Sequence, residues 1–136
     1  MPAKETLAPG LTHTRRVVVD RDRTIGFMGE QLRVYATPSM VSDMEYTCRD
    51  FLLSHLRDGQ DSVGMRVEID HLAPTLLGMW ADIRVTVAEV DKRRITFSFE
   101  IVDAVETVGR GSHTRFVVDK AKTADRLAAK AAMVKG

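Results

Sequence analysis

The chain has 136 residues with 20 lysines and arginines against 19 aspartates and glutamates, a net charge of +1, so no global charge excess favours nucleic acid or an anionic membrane. Its 44% apolar and 29% charged residues are those of an ordinary globular domain with one core. Cys48 is the only cysteine, which excludes an intramolecular disulfide and a thiolate metal cluster, and no run approaches the roughly 18 to 20 apolar residues that span a bilayer.

Residues 1–10, with Pro2, Pro9 and Gly10, read as a loose N-terminal arm. The opening Met1-Pro2-Ala3-Lys4-Glu5 lacks the apolar run of a signal peptide, which leads to the expectation of a cytoplasmic protein. Leu11 to Asp20 contains Val17-Val18-Val19 and predicts a strand. Residues 21–34 are interrupted by Gly26 and Gly29 and show no clear period. Pro38 then suits the first turn of a helix, with Thr37 before it as a cap. Met40, Val41, Met44, Cys48, Phe51, Leu52 and Leu56 recur at spacings of one, three and four, predicting a long helix over 38–57 with a wide buried stripe.

Strands follow. Met65, Val67, Ile69 and His71 alternate with Arg66, Glu68 and Asp70, which predicts one apolar and one charged face. Met79 to Val87 and Ile95 to Ile101 repeat the alternation. Glu106 to Asp119 is longer, and its Gly109 and Gly111 suggest a bend or bulge. The links at Asp91-Lys92-Arg93-Arg94 and Asp103-Ala104 are short enough for hairpins, and the basic turn reads as solvated surface. Residues 120–136, rich in Ala and Lys, read as a peripheral C-terminal helix. The expectation is an α+β single domain over 1–136, a long helix packed on an antiparallel sheet.

Three residues in this frame can carry chemistry. Glu45 lies at the edge of the helix stripe, either as a boundary carboxylate reaching water or as a base or nucleophile in a low-dielectric cleft. His71 follows Met65, Val67 and Ile69 onto the inward face, where a histidine is a structural residue or, with Glu45 across the gap, a proton-transfer group. Thr37 either caps the helix or donates to a carbonyl, orients water or attacks. Eight residues of helix span about 12 Å, so Thr37 and Glu45 do not touch directly. The free N–H groups near Ser39 and Met40 offer a weak oxyanion site. His113 in the last strand reads as a structural or substrate-contacting residue, and no H-x-x-x-H spacing points to a metal.

In order, Ala36-Thr37, Met40-Val41, Met44-Glu45 and Cys48, then Gly64, His71, Thr75 and Gly78, then Gly109, Gly111 and His113, resemble the fluoroacetyl-CoA thioesterase-like branch of the hotdog-fold thioesterases. The resemblance covers residues 34–118. It implies a hotdog fold, a homodimer or tetramer with sheets joined edge to edge, and an acyl-CoA bound near the subunit interface, with no cofactor or metal. It implies Thr37, Glu45 and His71 as the catalytic set and Gly64 as a backbone contact near the thioester; Ser39 and Met40, through the N–H groups at the helix start, and His113 in the last strand are the further expected substrate contacts. The aromatic, proline-containing lid of the fluoroacetyl-specific members is replaced here by the shorter Thr24 to Arg33 segment with Phe27 as its one aromatic. The expected activity is therefore hydrolysis of a small or medium acyl-CoA thioester. A non-catalytic acyl-CoA binder and a hotdog enoyl-thioester hydratase are the rival readings.

Overall fold

A computed structural model describes residues 4–135. Five strands form one antiparallel sheet in the order β1-β5-β6-β7-β4. They are β1 (Thr12–Val18), β4 (Gln60–His71), β5 (Trp80–Asp91), β6 (Arg94–Val102) and β7 (Thr107–Asp119). A small flap pairs β2 (Thr24–Ile25) with β3 (Val34–Tyr35), and leads directly into helix α1 (Thr37–Leu53). The chain ends in helix α2 (Lys120–Lys135). No helix among the described residues is long and apolar enough to cross a membrane.

The sheet curls around α1, as the sequence pattern requires of its one long apolar helix. Met40, Met44, Cys48 and Leu52 are buried in the same core as Ile83, Val85, Phe97 and Ile101 on the inner face. Burying such a side chain is worth about 1.5–3 kcal/mol, so this seam fixes the helix on the sheet. At Gly109 the helix lies close on the sheet, because a Cβ there would lie 2.8 Å from Met40 Sδ.

The helix stops at Leu53, with Ser54 as C-cap, a turn short of the expected end. Gly59, at φ +83, then turns the chain into β4, which starts five residues before the alternation from Met65 suggests. The reason is a bulge. Gly64 pairs with Arg115 and Arg66 with Thr114, so Met65 has no opposite partner, and it is 50% exposed instead of lying on the apolar face. One extra residue reverses side-chain parity along the strand. Ser62 and Gly64 before the bulge and Val67, Ile69 and His71 after it consequently share the inner face, opposite Val117, Arg115, His113, Gly111 and Gly109.

Residues 4–10 are tied down, contrary to the expected loose arm. Leu7 is buried in the core, Lys4 N donates to His55 O at 2.8 Å, and Gly10 N donates to Val87 O at 2.8 Å; residues 1–3 of the arm lie outside the described residues. Helix α2 leaves Leu127 and Val134 exposed.

Candidate active site

Thr37 is brought to His71 by two element ends. The flap strand β3 delivers the chain to α1, where Ala36 is the N-cap and no side chain caps the helix. Thr37 is therefore the first helical residue and not the cap that its position before Pro38 suggests. Its hydroxyl lies 2.7 Å from His71 Nδ1, at the C-terminal end of β4. The pair opens into a cavity of about 450 Å³, lined largely by apolar groups that include Ile25, Phe27, Val34, Leu72 and Pro74. Phe27, in the shortened flap, is 83% exposed. Burial holds the His71 pKa below its ordinary value, partly offset by a hydrogen bond to the Ala73 backbone. A neutral imidazole this close to a hydroxyl can take its proton.

Glu45 lies elsewhere. It lines a second cavity of about 530 Å³ with Tyr46, Arg49, Asp61, Gly64 and Arg115, whereas His71 lines the first. The expectation that Glu45 and His71 face each other across one gap is thus not met within the chain. His71 lies seven positions beyond Gly64 along β4, roughly 20 Å of strand. The carboxylate is 38% exposed and sits against Gly64, where a Cβ would lie 2.9 Å from Glu45 Oε1 and 3.1 Å from His113 Cε1. Only glycine leaves that space open.

Beneath Glu45 is a buried polar network. Arg115 Nε donates to Ser62 Oγ at 2.7 Å, Nη2 to Ser62 O at 2.8 Å, and Nη1 to His113 Nε2 at 3.1 Å. A guanidinium only donates, so His113 Nε2 accepts, and Nδ1 carries the proton that it gives to Arg66 O at 2.8 Å. His113 Nε2 lies 4.0 Å from Glu45 Oε1, but both ring nitrogens are already engaged. Burial, the larger cause, and Arg115 hold its pKa below the ordinary value, so the contact is between a neutral ring and a carboxylate. At 1% exposure, His113 lies beneath Glu45 and Arg115, behind the residues that line this cavity. Burial likewise lowers the Arg115 pKa.

Two expected contacts fall outside both cavities. Met40 N donates to Ala36 O at 2.9 Å and its side chain is core, so it has no free N–H for an oxyanion. Ser39 lines a separate recess with Asp20, Asp22, Ser42 and Asp43. Cys48 is buried and its thiol is pushed up to about 12 by burial, which removes it as a nucleophile. No metal-holding group of His, Cys, Asp or Glu occurs among the described residues. The sequence reading missed Arg115, although it shares inward parity with His113 and Val117 in the last strand. It also missed Tyr35 and Asp43, whose phenol and carboxylate meet beside the Thr37 corner at 2.5 Å.

A family model described as fluoroacetyl-CoA-specific thioesterase matches residues 19–121. The fluoroacetyl-CoA thioesterase of Streptantibioticus cattleyicolor is 27% identical over 122 residues, covering 85% of this chain and 88% of its own. A mutant of the fluoroacetyl-CoA-specific thioesterase in complex with fluoroacetate and CoA superposes with a TM-score of 0.79 at 27% identity, covering 86% of this chain and 99% of the other. A hot-dog-like protein from Thermanaerovibrio acidaminovorans gives a TM-score of 0.85 at 26% identity, covering 93% and 94%. The match over 19–121 spans the flap, the helix and all the strands that build the two cavities, and the chain belongs to the fluoroacetyl-CoA-specific thioesterase family on a hotdog fold.

Proposed function

We propose that this chain hydrolyses a small or medium acyl-CoA thioester, with Thr37 and His71 as the reacting pair. The observation that carries the reading is the 2.7 Å approach of Thr37 Oγ1 to His71 Nδ1 at the mouth of a largely apolar cavity. With the imidazole proton on Nε2, Nδ1 accepts the hydroxyl proton as Oγ1 attacks the thioester carbonyl. The C–S bond breaks, the CoA sulfur leaves with the proton from His71, and an acyl ester remains on Thr37. Water then attacks that ester, giving one proton to His71 Nδ1; the acyl C–Oγ1 bond breaks, His71 returns the proton to Oγ1, and the acid leaves with the Thr37 hydroxyl restored. Fluoroacetyl selectivity is not part of the proposal, because the segment from Thr24 to Arg33 over the cavity is short and Phe27 is its one aromatic.

Glu45, Gly64 and Arg115 enter the site through a second copy of the chain. Strand β4 is an edge of the sheet, 12 residues long, with Val63 and Met65 about half-exposed on it. Such an edge is a template for pairing. Antiparallel pairing of β4 with its own copy sets residues 60–64 of one chain beside residues 67–71 of the other. The Glu45 cavity of one copy then approaches the Thr37–His71 pair of the next, giving two composite sites per homodimer. In such a site Glu45 is placed to orient the water that releases the acyl group. A CoA substrate is consistent with a cytoplasmic location.

The composite site is tested by mixing two inactive chains. Thr37→Ala and Glu45→Ala are co-expressed with different tags. Each heterodimer then carries one intact and one doubly impaired site, so random pairing restores about a quarter of wild-type turnover. No restoration, with heterodimers present, would place all catalytic groups in one chain.

A further inference from the structure

We propose that Tyr35, Asp43 and Arg23 are positioning residues for Thr37, a clamp that holds the start of α1 where the Thr37 hydroxyl reaches His71. The proposal rests on the reading of Thr37 and His71 as the reacting pair. Thr37 needs such a device. Its hydroxyl makes no capping bond, so its place is set by the backbone of the corner between β3 and α1. The flap that enters this corner has two pairs of its own, Thr24 with Tyr35 and Ile25 with Val34, and one bridge outward from Val34 to Leu76, and a two-stranded ribbon of this size does not hold itself in water.

Arg23 ties the corner from two sides. Its carbonyl accepts from Ala36 N at 2.8 Å, one residue before Thr37. Its guanidinium grips Asp43 through Nε at 2.9 Å and Nη2 at 3.2 Å, and Asp20 through Nη1 at 2.7 Å. Asp43 lies six residues into the same helix, and its Oδ2 also accepts the Tyr35 phenol. Tyr35 is 1% exposed and its own N–H is held by Thr75 O at 2.8 Å. Burial, followed by the Asp43 carboxylate, raises the Tyr35 pKa, so the phenol keeps its proton and stays a donor. Flap, corner and helix are thus joined in a ring of hydrogen bonds that closes through Ala36 N, one residue before Thr37. A forked Arg–carboxylate pair carries geometric specificity as well as energy, and a misplacement of about 1 Å at a reacting group costs on the order of 100-fold in rate.

The test uses the full chain as wild type, Tyr35→Phe, Asp43→Asn, Thr37→Ala and His71→Ala. Measured for each are kcat and KM for an acyl-CoA that the wild type turns over, the melting temperature, and, where His71 is kept, its titration followed by NMR at the ring Cε1 proton. The clamp predicts that Tyr35→Phe and Asp43→Asn lower kcat about 10- to 100-fold with KM within about twofold. It also predicts that both displace the His71 titration in the direction that Thr37→Ala does, by part of its extent, because the hydroxyl is displaced from the ring in the clamp variants and absent in Thr37→Ala. A purely structural role lowers the melting temperature and scales activity with the folded fraction, leaving that titration at its wild-type position, and this result overturns the clamp. Unchanged kcat and titration in Tyr35→Phe and Asp43→Asn, with Thr37→Ala and His71→Ala inactive, likewise overturn the clamp while leaving the reacting pair standing. Wild-type activity in Thr37→Ala and His71→Ala overturns both.

Discussion

Thr37 Oγ1 and His71 Nδ1 stand 2.7 Å apart although 34 residues separate them in the chain. The contact exists because Ala36 occupies the N-cap position, which makes Thr37 the first helical residue and leaves its hydroxyl without a capping duty. Thr37→Ala should therefore cost activity and little stability. We expect kcat/KM to fall about 10²- to 10⁴-fold, with a stability change within about 0.5 kcal/mol. Thr37→Ser, which keeps the hydroxyl, should stay within about tenfold of wild type. Steady-state kinetics and thermal melts check both.

Burial lowers the pKa of His71, and a base must be unprotonated to act. The acid limb of kcat/KM is accordingly expected below pH 6.5, the ordinary histidine value, with activity falling as pH drops through the folded-state pKa. A limb at or above 6.5 would remove His71 as the base.

The same sign governs stability. His71 and His113 both have pKa values held below the ordinary one, chiefly by burial, so the unfolded chain binds protons that the folded chain resists. Stability from this source is full above about pH 6.5 and is lost as pH falls through the depressed values. Melting temperatures measured from pH 7.5 to 5 should decline, and His113→Asn, less stable at neutral pH, should show a shallower decline.

Gly64 is expected to be intolerant for a reason unrelated to backbone freedom. A methyl group there meets the Glu45 carboxylate at 2.9 Å and the His113 ring at 3.1 Å. The carboxylate can swing aside, while the buried ring has less room. Gly64→Ala should lower kcat about tenfold or more by displacing Glu45, at a stability cost in the usual 0.5–3 kcal/mol range. Kinetics beside a denaturant melt separate the two effects.

Edge pairing of β4 predicts a dimer in solution, and Val63 and Met65 as its exposed apolar members. Val63→Asp with Met65→Lys should shift the chain toward monomer in sedimentation and lower turnover per chain in parallel. A monomeric wild type with full activity would contradict the composite site.

The helix and the four long strands were legible because their apolar residues repeat at the periods that α1 and the curved sheet bury. His71 was legible by parity, but for an incomplete reason. Alternation counted from Met65 reaches His71 correctly, whereas Met65 itself is the bulge and points outward. Local composition does not reveal a bulge, so the common face of Gly64 and His71 could not be read from the strand alone. Glu45 was placed at the edge of the helix stripe, where it sits, but its neighbour was misjudged. The inward partner at its level is His113, whose parity partner Arg115 went unread. Tyr35 lies just after the segment with no period and Asp43 lies on the helix, and the bonds that join them to Arg23 are long-range side-chain contacts that no burial pattern reveals.

Hydrolysis is tested most directly by offering the purified chain a panel of short, medium and aryl acyl-CoAs while free CoA thiol is followed. Wild type should release thiol from at least one small or medium acyl-CoA, and His71→Ala should reduce that release about 100-fold or more. Release from none of them, or equal release by wild type and His71→Ala, would contradict a thioesterase built on the Thr37–His71 pair.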